Sequence, residues 1–330
     1  MWFMKQIARH KTSAPKKELS NTSLARKSKT AATLDYMKKN ADLYLFLLPV
    51  LIYFAVFHYY PLYGVQIAFK DFSPTEGILG SRWVGFDHFV RFFNSSYAWD
   101  IIKNTLLISL YALAVGFPAP LILALLLNQI PNKKFKSIVQ TITYAPNFIS
   151  FVVIVGMLLI FLSPSTGIIN TIIVMFGGDP INFMGKSQLF STIYVLSDVW
   201  QSAGWGAIIY LAALSGISPE LHEAAMIDGA NKFKRVWHID LPGIMPTVVI
   251  LLILGLGGVM SLGFEKIYLM QNDLNITSSE IISTYVYKVG LQGGDFSFST
   301  AVGLFNNVVN FVLLIIVNGV ARRVSDNSLW

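Results

Sequence analysis

One apolar stretch of the chain carries polar and aromatic side chains that suit a sugar. These are Asp198, Gln201, Ser202 and Trp205. Their spacing of three, one and three residues places them on one face of a helix. A carboxylate and an amide hydrogen-bond to hydroxyl groups, and an indole ring stacks on the C–H face of a sugar ring. Hydrogen bonding between packed helices would produce the same pattern, so both interpretations stay open.

Polar groups also lie within two later apolar stretches. They are Ser261 and Glu265 in one stretch and Asn306 and Asn310 in the next. Such groups are costly at membrane depth, so they usually face a water-filled route or a partner helix. We predict that all of these side chains line a pathway through the membrane. The alternative is that they form hydrogen bonds between packed helices.

The composition places these residues in a membrane protein. Of the 330 residues, 54% are hydrophobic and only 13% are charged, and the mean hydropathy is +0.57. Soluble domains carry about 25% charged residues, so an ordinary cytosolic enzyme or secreted domain is excluded. Because the chain has no cysteine and only five scattered histidines, neither a disulfide framework nor a metal centre is expected.

Six apolar stretches are long enough to cross a bilayer. They run over about residues 42–60, 101–127, 141–162, 190–214, 247–270 and 299–320. A hydrocarbon layer about 30 Å thick needs about 20 helical residues, and backbone groups inside lipid must pair with one another. We therefore predict an all-α integral membrane protein with six transmembrane helices. Residues 167–176 are apolar but too short to span, which favours a re-entrant or interfacial piece.

Lysine and arginine are concentrated on one side of these predicted helices. The two tails and the loops after the second and fourth helices hold eighteen of them, against five in the opposite loops. Basic loops stay inside the cell, so both termini are predicted to be cytoplasmic. A basic tail can also bind nucleic acid. Ahead of six membrane helices, we assign it instead to topology and to contact with anionic lipid.

The polar loop between the fourth and fifth stretches is predicted to hold two short helices. Ser218 is a good N-cap and Pro219 suits the first helical position. Gly229 can take the left-handed conformation that ends a helix. The second helix is expected over residues 233–237, and Pro242 is expected to end it. Because the loop has little neighbouring chain to cover it, its first helix should dock into a groove of a soluble partner.

The first loop helix offers side chains for that docking. Ala224 and Ala225 are small enough for a partner to approach the backbone closely, while Leu221 and Met226 supply apolar contact. The candidate docking residues are Glu220, Leu221, Glu223, Ala224, Ala225, Met226, Asp228 and Gly229.

This loop resembles the EAA loop of binding-protein-dependent ABC importer permeases. The resemblance rests on Glu223-Ala224-Ala225, Asp228-Gly229-Ala230, Phe233, Ile239 and Leu241-Pro242 at the spacing of that family. It implies a type I ABC importer permease fold, in which the coupling loop (residues 218–242) docks on an ATPase subunit. Further segments resemble the oligosaccharide branch, which includes maltose and alginate permeases. They are residues 60–72, residues 83–86, Gly290, Phe296-Ser297 and residues 301–305.

The family resemblance also implies the domains and partners. The expected domains are a cytoplasmic tail of residues 1–41, a transmembrane domain of residues 42–320 and a cytoplasmic tail of residues 321–330, in the bacterial cytoplasmic membrane. The implied partners are a second homologous permease, two ATP-binding cassette subunits and an extracellular solute-binding protein that delivers an oligosaccharide. The chain itself is expected to bind no cofactor, and its partner ATPase would use ATP and Mg. Gly185-Lys186-Ser187 looks like the end of a phosphate-binding loop, but Pro180 occupies the position of its first glycine.

The resemblance bears on the sugar site as well. In related maltose permeases, the helix before the coupling loop lines that site, and counting back from Glu223 leads to Asp198, Ser202 and Trp205. Their types differ from the maltose pattern, which leaves the contact chemistry open. The alternatives are a permease for a non-sugar solute, a stand-alone secondary carrier or channel with inverted repeats, and a membrane enzyme, which would need paired acids or a metal cluster.

Overall fold

The computed structural model describes residues 39–324 of the chain. The predicted N-terminal tail up to position 38 and residues 325–330 of the predicted C-terminal tail lie outside the described residues. The chain forms two compact units, one up to Tyr63 and one from Gly64 onward. Helices dominate, and the only sheet among the described residues has two strands, in agreement with the predicted all-α class.

The first apolar stretch is helical throughout. Its parts are Ala41–Phe54, a π-helical turn Ala55–Tyr59, Tyr60–Leu62 and a 3-10 segment Tyr63–Phe69. The π turn ends two residues before Pro61. Proline has no N–H to donate and its ring crowds the carbonyl four residues earlier, and the wider π turn relieves that contact.

A small hairpin brings together the segments that carry the oligosaccharide-branch resemblance. It consists of the antiparallel strands Lys70–Asp71 and Arg82–Trp83, joined through the helix Gly77–Gly80. The rings of Phe69 and Trp83 stack with their centroids 5.7 Å apart. The N–H of Phe72 donates to the hydroxyl of Ser297 at 2.9 Å. Three segments that are distant in sequence therefore form one contact region.

Three of the predicted apolar stretches lie in continuous helices. The second lies in Ala98–Asn128, the fourth in Ser187–Ser215 and the sixth in Phe296–Val324. The first of these is built from Ala98–Gly116 and Pro118–Asn128. Both of its prolines, Pro118 and Pro120, stand in the first turn of the second part, where no N–H is needed.

Shorter helices connect the long ones. They are Asp87–Phe93, Ile168–Met175, Ile276–Ser279 and Ile282–Tyr287, the last of which continues into the π-helical turn Lys288–Gln292. The helix Ile168–Met175 coincides with the short apolar piece predicted from the sequence. Asn170 in this helix is 2% exposed. Its side chain accepts from the N–H of Ile181 at 2.7 Å and donates to the carbonyl of Ser163 at 3.0 Å, which fixes the segment.

The third stretch, predicted as a helix over residues 141–162, is helical but sharply bent. The chain bends by 99° between Lys133–Phe148 and Phe151–Phe161. Pro146 lies in the 3-10 turn before the bend, where its missing N–H disfavours continuation of the helix. Ser150 then caps the new helix by accepting from the N–H of Val153 at 3.4 Å.

The fifth stretch, predicted over residues 247–270, is broken as well. It consists of Met245–Gly257 and Phe264–Met270, and it follows the loop segment Lys232–Gly243 after a bend of 64°. Glycine is a weak helix former, and the break between the two helices begins at Gly258 and ends at Gly263.

By length and composition, three of the described helices can cross a membrane, or up to five when each bent pair counts as one span. Ser187–Ser215 is 29 residues long but is not among them, since it carries the polar face described above. The count of six spans therefore stays a prediction.

Close backbone contact sets the position of the helix Ser187–Ser215. A Cβ atom at Gly204 would lie 1.9 Å from the carbonyl oxygen of Thr143, so only glycine allows this approach. One turn further on, an apolar cluster joins Ala207 and Tyr210 to Ile244. This cluster links the long helix to the residue at which the fifth stretch begins.

Candidate functional site

The coupling loop begins with a helix whose ends are fixed by local hydrogen bonds. The Ser218 hydroxyl accepts from the backbone N–H two residues on at 3.3 Å, and the helix Pro219–Ile227 follows. Gly229 has a φ of +75°, and the N–H of Ala230 donates to the carbonyl of Ala225 at 2.9 Å. This is the hydrogen bond of a glycine-stopped helix. The predicted helix, its cap and its stop are confirmed.

This helix presents a largely exposed surface. Leu221 is 54% exposed, Met226 51% and Ile227 87%. The exposed polar and small residues are Glu220, Glu223, Ala224, Asp228 and Gly229, while Ala225 is partly covered. Three exposed apolar side chains on one short helix leave apolar surface that a protein partner can cover. All the candidate docking residues lie on this helix or at its stop, and their docking role stays a prediction.

The second half of the loop differs from the prediction. Helical turns continue from Lys232 to Gly243, past Pro242, which does not end them. Asn231 caps the start by accepting from the backbone N–H three residues on at 2.8 Å. Val236–Asp240 forms a π-helical turn. As before Pro61, the wider turn accommodates a proline two residues later.

The carboxylate of Asp240 connects the coupling loop to the end of the helix Ala98–Asn128. Asp240 is completely buried, and its Oδ2 accepts from Nε2 of Gln129 at 2.9 Å. Its Oδ1 lies 3.3 Å from Nε2 of His222 on the loop helix. Burial raises the pKa of the Asp240 carboxyl above its usual value, while His222, Arg235 and the bond from Gln129 act in the opposite direction.

The polar face of the helix Ser187–Ser215 is open at three side chains. Asp198 is 42% exposed, and its Oδ1 lies 3.4 Å from Nζ of Lys266, which is 1% exposed. Ser202 is exposed, and its hydroxyl donates to the carbonyl of Asp198 at 2.7 Å. Trp205 is 49% exposed. An acid, a hydroxyl and an indole are thus available to a ligand on one face.

Gln201 lies at the edge of that face and is turned into the protein. It is 6% exposed, and its Nε2 donates to the carbonyl of Ile149 at 3.0 Å. Its Oε1 is buried without a partner among the described residues. In this conformation Gln201 joins its helix to the bend in the third stretch, as the packing interpretation expects.

Asn306 and Asn310 stabilise the break in the fifth stretch. Asn310 accepts from the N–H of Met260 at 2.9 Å and donates to the hydroxyl of Ser261 at 2.9 Å. Asn306 donates to the carbonyl of Met260 at 3.4 Å. Backbone groups released by a broken helix need such partners at membrane depth. Ser261 and Glu265 are exposed and, with the open face, remain candidates for ligand contact.

Two of these pairings have no signal in the local sequence. Asp198 and Lys266 are 68 positions apart, and Gln129 and Asp240 are 111 apart. The sequence places Lys266 near the end of a stretch, where it could pair, but does not identify its partner. Among residues 39–324, no group of three or more His, Cys, Asp or Glu side chains could hold a metal ion.

These features are typical of one class of protein, the membrane-embedded permease of a transport system. They are the bent apolar helices, the exposed helix of the coupling loop and the buried Asp240 next to that helix. The chain belongs to the family described as binding-protein-dependent transport system inner membrane component, whose model matches residues 116–326. It is therefore a permease subunit of an ABC transporter rather than an enzyme, as the loop resemblance implies.

Relatives named as transport permeases match most of the chain. The polygalacturonan/rhamnogalacturonan transport system permease protein YteP of Bacillus subtilis (strain 168) is 43% identical over 92% of this chain and 95% of the relative. Protein LplB of the same organism is 43% identical over 89% of this chain and 92% of the relative. The arabinooligosaccharides transport system permease protein AraP of the same organism is 30% identical over 89% of this chain and 91% of the relative.

A solved structure shows the same fold. A chain of a bacterial alginate ABC transporter, in complex with an alginate pentasaccharide-bound periplasmic protein, is 40% identical with a TM-score of 0.83. The match covers 89% of this chain and 99% of that chain. The predicted type I ABC permease fold is confirmed.

Proposed function

We propose that this chain forms half of the route through an ATP-driven importer that carries an oligosaccharide across the bacterial cytoplasmic membrane. Relatives named for polygalacturonan/rhamnogalacturonan and for arabinooligosaccharides support this substrate class, as does the alginate importer of the same fold. Alginate is an acidic polysaccharide, so both acidic and neutral oligosaccharides are candidates.

The exposed helix Pro219–Ile227 is the observation that carries the proposal. Its apolar residues Leu221 and Met226 are about half exposed, although the loop has no lipid to enter. A short helix with exposed apolar side chains on several sides fits a groove on a soluble protein. In an ABC importer that protein is the ATPase, and Glu223 stands at the start of the family's Glu-Ala-Ala sequence.

The proposed cycle requires further subunits. A second homologous permease completes the route, two ATP-binding cassette subunits bind ATP and Mg, and an extracellular solute-binding protein delivers the sugar. ATP binding closes the ATPase dimer and moves the coupling loop. The spans then switch between inward- and outward-facing states, so that the sugar site is open to one side at a time.

The orientation follows from charge. The coupling loop carries Lys232, Lys234 and Arg235, and basic loops stay in the cytoplasm. With the basic tails on the same side, we place both termini inside and the short helix Ile168–Met175 toward the exterior.

The proposed sugar contacts are the open groups near the pair of Asp198 and Lys266. Asp198 and Ser202 offer hydrogen bonds to hydroxyl groups, and Trp205 offers a ring face. Ser261 and Glu265 follow along the broken fifth stretch. Gln201, Asn306 and Asn310 are candidates as well, and their hydrogen bonds to the protein favour a role in shaping the route.

Reconstitution of the complete transporter in proteoliposomes tests the coupling role. Glu223→Lys should abolish ATP-driven uptake of oligosaccharides while insertion into the membrane stays normal. Asp179→Lys, which reverses an exposed acid outside the loop, is the matched control. Unchanged uptake in the Glu223 variant would contradict the proposal.

A panel of oligosaccharides identifies the substrate and tests the route. The correct sugar, with its solute-binding protein, should stimulate ATP hydrolysis, and Trp205→Ala should weaken that stimulation. No effect of this variant on stimulation or uptake would remove Trp205 from the route. The native chain has no cysteine, so a single cysteine at position 133 should react only with a reagent that has access from the cytoplasm.

A further inference from the structure

Asp240 is a buried acid whose position needs an explanation. It is 0% exposed, at the end of the π-helical turn Val236–Asp240. An ionised carboxylate taken out of water costs several kcal/mol unless it is well paired. An apolar side chain of similar size would cost less, so the fold alone gives no reason for an acid here.

The groups around this carboxylate come from three segments. Gln129 Nε2 donates to Oδ2 at 2.9 Å, His222 Nε2 lies 3.3 Å from Oδ1, and Arg235 acts on it electrostatically from the preceding turn. The Arg235 Nε is itself buried without a hydrogen-bond partner among the described residues. The charges facing Asp240 are therefore those of His222, when protonated, and Arg235.

These contacts connect the coupling loop to a helix that is not its neighbour in the sequence. The loop helix Pro219–Ile227 is joined covalently to Ser187–Ser215 on one side and, through the second half of the loop, to Met245–Gly257 on the other. It does not adjoin Ala98–Asn128 along the chain, and Gln129 directly follows that helix. Asp240 therefore joins the second half of the loop to the end of Ala98–Asn128 by a hydrogen bond. Its Oδ1 lies 3.3 Å from His222 of the loop helix and is buried without a hydrogen-bond partner among the described residues.

We propose that Asp240 is a positioning residue that transmits displacement of the loop helix to the helix Ala98–Asn128. The inference rests on the proposed function, because it takes the loop helix to be the part that the ATPase moves. The hydrogen bond of 2.9 Å between Gln129 and Asp240 adds a polar link to the apolar cluster that already contains Ala124 of this helix and Ile244. Loss of that bond weakens the link between the loop and the helix Ala98–Asn128, so that ATP is hydrolysed with less transport.

An exchange of side chains of equal length tests this bridge in the reconstituted transporter. Gln129→Glu places a second carboxylate beside Asp240, and two ionised carboxylates have no proton to share. This variant should lower the amount of sugar imported per ATP by about tenfold, within the usual range of coupling energies. Asp240→Asn keeps an oxygen that accepts from the Gln129 amide, so on its own it should change the ratio little. In the double variant the amide at position 240 donates to the carboxylate at position 129, which should restore most of the ratio.

The matched control is His238→Gln. His238 is exposed and belongs to the same π-helical turn, so this variant should keep the wild-type ratio. Thermal unfolding of each variant separates positioning from a purely structural role. A structural role predicts that transport falls in step with the melting temperature, whereas positioning predicts that Gln129→Glu uncouples transport at temperatures well below its melting temperature.

The outcomes are distinct. A normal ratio in Gln129→Glu, or no rescue in the double variant, would overturn the bridge while leaving the proposed function intact. If the wild-type transporter imports no oligosaccharide under any condition, the proposed function itself fails.

Discussion

Asn310 accepts a hydrogen bond from the backbone N–H of Met260 at 2.9 Å, at the point where the fifth apolar stretch leaves its helix. The same side chain donates to the hydroxyl of Ser261, and it is 9% exposed. One asparagine therefore satisfies both a backbone and a side-chain group within the break. The break exposes Ser261 beside the proposed route, so Asn310 holds open a shape that an unbroken helix would not have.

Asn310→Leu should destabilise the permease. The substitution leaves the N–H of Met260 buried without a partner, which costs about 1–3 kcal/mol. The melting temperature of the purified protein in detergent measures this loss. Asn307→Leu, at an exposed neighbouring position, is the control and should change the melting temperature little. Equal effects of the two variants would show that the bond to Met260 adds no stability.

Gly204→Ala should push two helices apart. The new Cβ atom would lie 1.9 Å from the carbonyl oxygen of Thr143, and overpacking of this kind costs about 1–3 kcal/mol. Gly303→Ala is a matched control, because a Cβ atom there meets nothing within 4 Å. Alanine is the better helix former by about 1 kcal/mol, so the control should be neutral or stabilising in the same unfolding assay.

Apolar length predicts the long helices but not where they bend. The helices Ser187–Ser215 and Phe296–Val324 agree with the predicted stretches to within a few residues, because about 20 consecutive apolar residues in lipid have few alternatives to a helix. The third stretch bends beside Pro146, which is visible in the sequence. The break after Met245–Gly257 also depends on Asn310, 50 positions from Met260, and no local pattern reveals that contact.

The candidate site divides in the same way. The cap at Ser218 and the stop at Gly229 are local and follow from residue type. The burial of Asp240, and the pairing of Asp198 with Lys266, depend on how distant helices pack. Periodicity placed Gln201 on the polar face, but only the packing against Ile149 determines that it turns inward.

Gly229→Val should uncouple transport without a steric clash. A Cβ atom at this position meets nothing within 4 Å, but the φ of +75° is strained for any residue with a side chain and most of all for a β-branched one. The cost is about 1–2 kcal/mol, which is expected to fall on the end of the loop helix. Uptake per ATP should drop in Gly229→Val and less so in Gly229→Asn, because asparagine tolerates this conformation. Equal uptake in both variants would argue against the glycine stop as the reason.

Asp198→Asn should destabilise the protein more than Lys266→Met. The first change leaves a buried ammonium group without its partner, whereas the second leaves an acid that is 42% exposed and accessible to water. Breaking a fully buried pair costs about 3–5 kcal/mol, and the exposure of Asp198 lowers that figure. The double variant should unfold at a higher temperature than Asp198→Asn alone. If Lys266→Met were the more destabilising of the two single variants, an unpaired Asp198 would cost more free energy than an unpaired Lys266.

The stability of the coupling loop should depend on pH through Asp240. Because burial raises the pKa of this carboxyl, the folded protein holds the proton more tightly than the unfolded chain does. Its contribution to stability is complete below the ordinary carboxyl pKa of about 4 and is lost as the pH rises through the raised value. The Asp240→Asn variant has no such dependence, so its melting temperature should gain on that of the wild type as the pH rises above about 4.

Arg235 and His222 face the same carboxyl and act against this trend. His222→Gln should therefore increase the difference in melting temperature between the protein with Asp240 and the Asp240→Asn variant. The carboxylate loses a nearby positive charge that stabilises it, whereas the neutral amide of the variant does not depend on that charge. Melting curves of the four combinations across this pH range separate the two contributions. If the melting temperature of Asp240→Asn relative to the wild type instead falls as the pH rises, the charged partners stabilise the carboxylate by more than its burial costs, and Asp240 contributes to the stability of the loop.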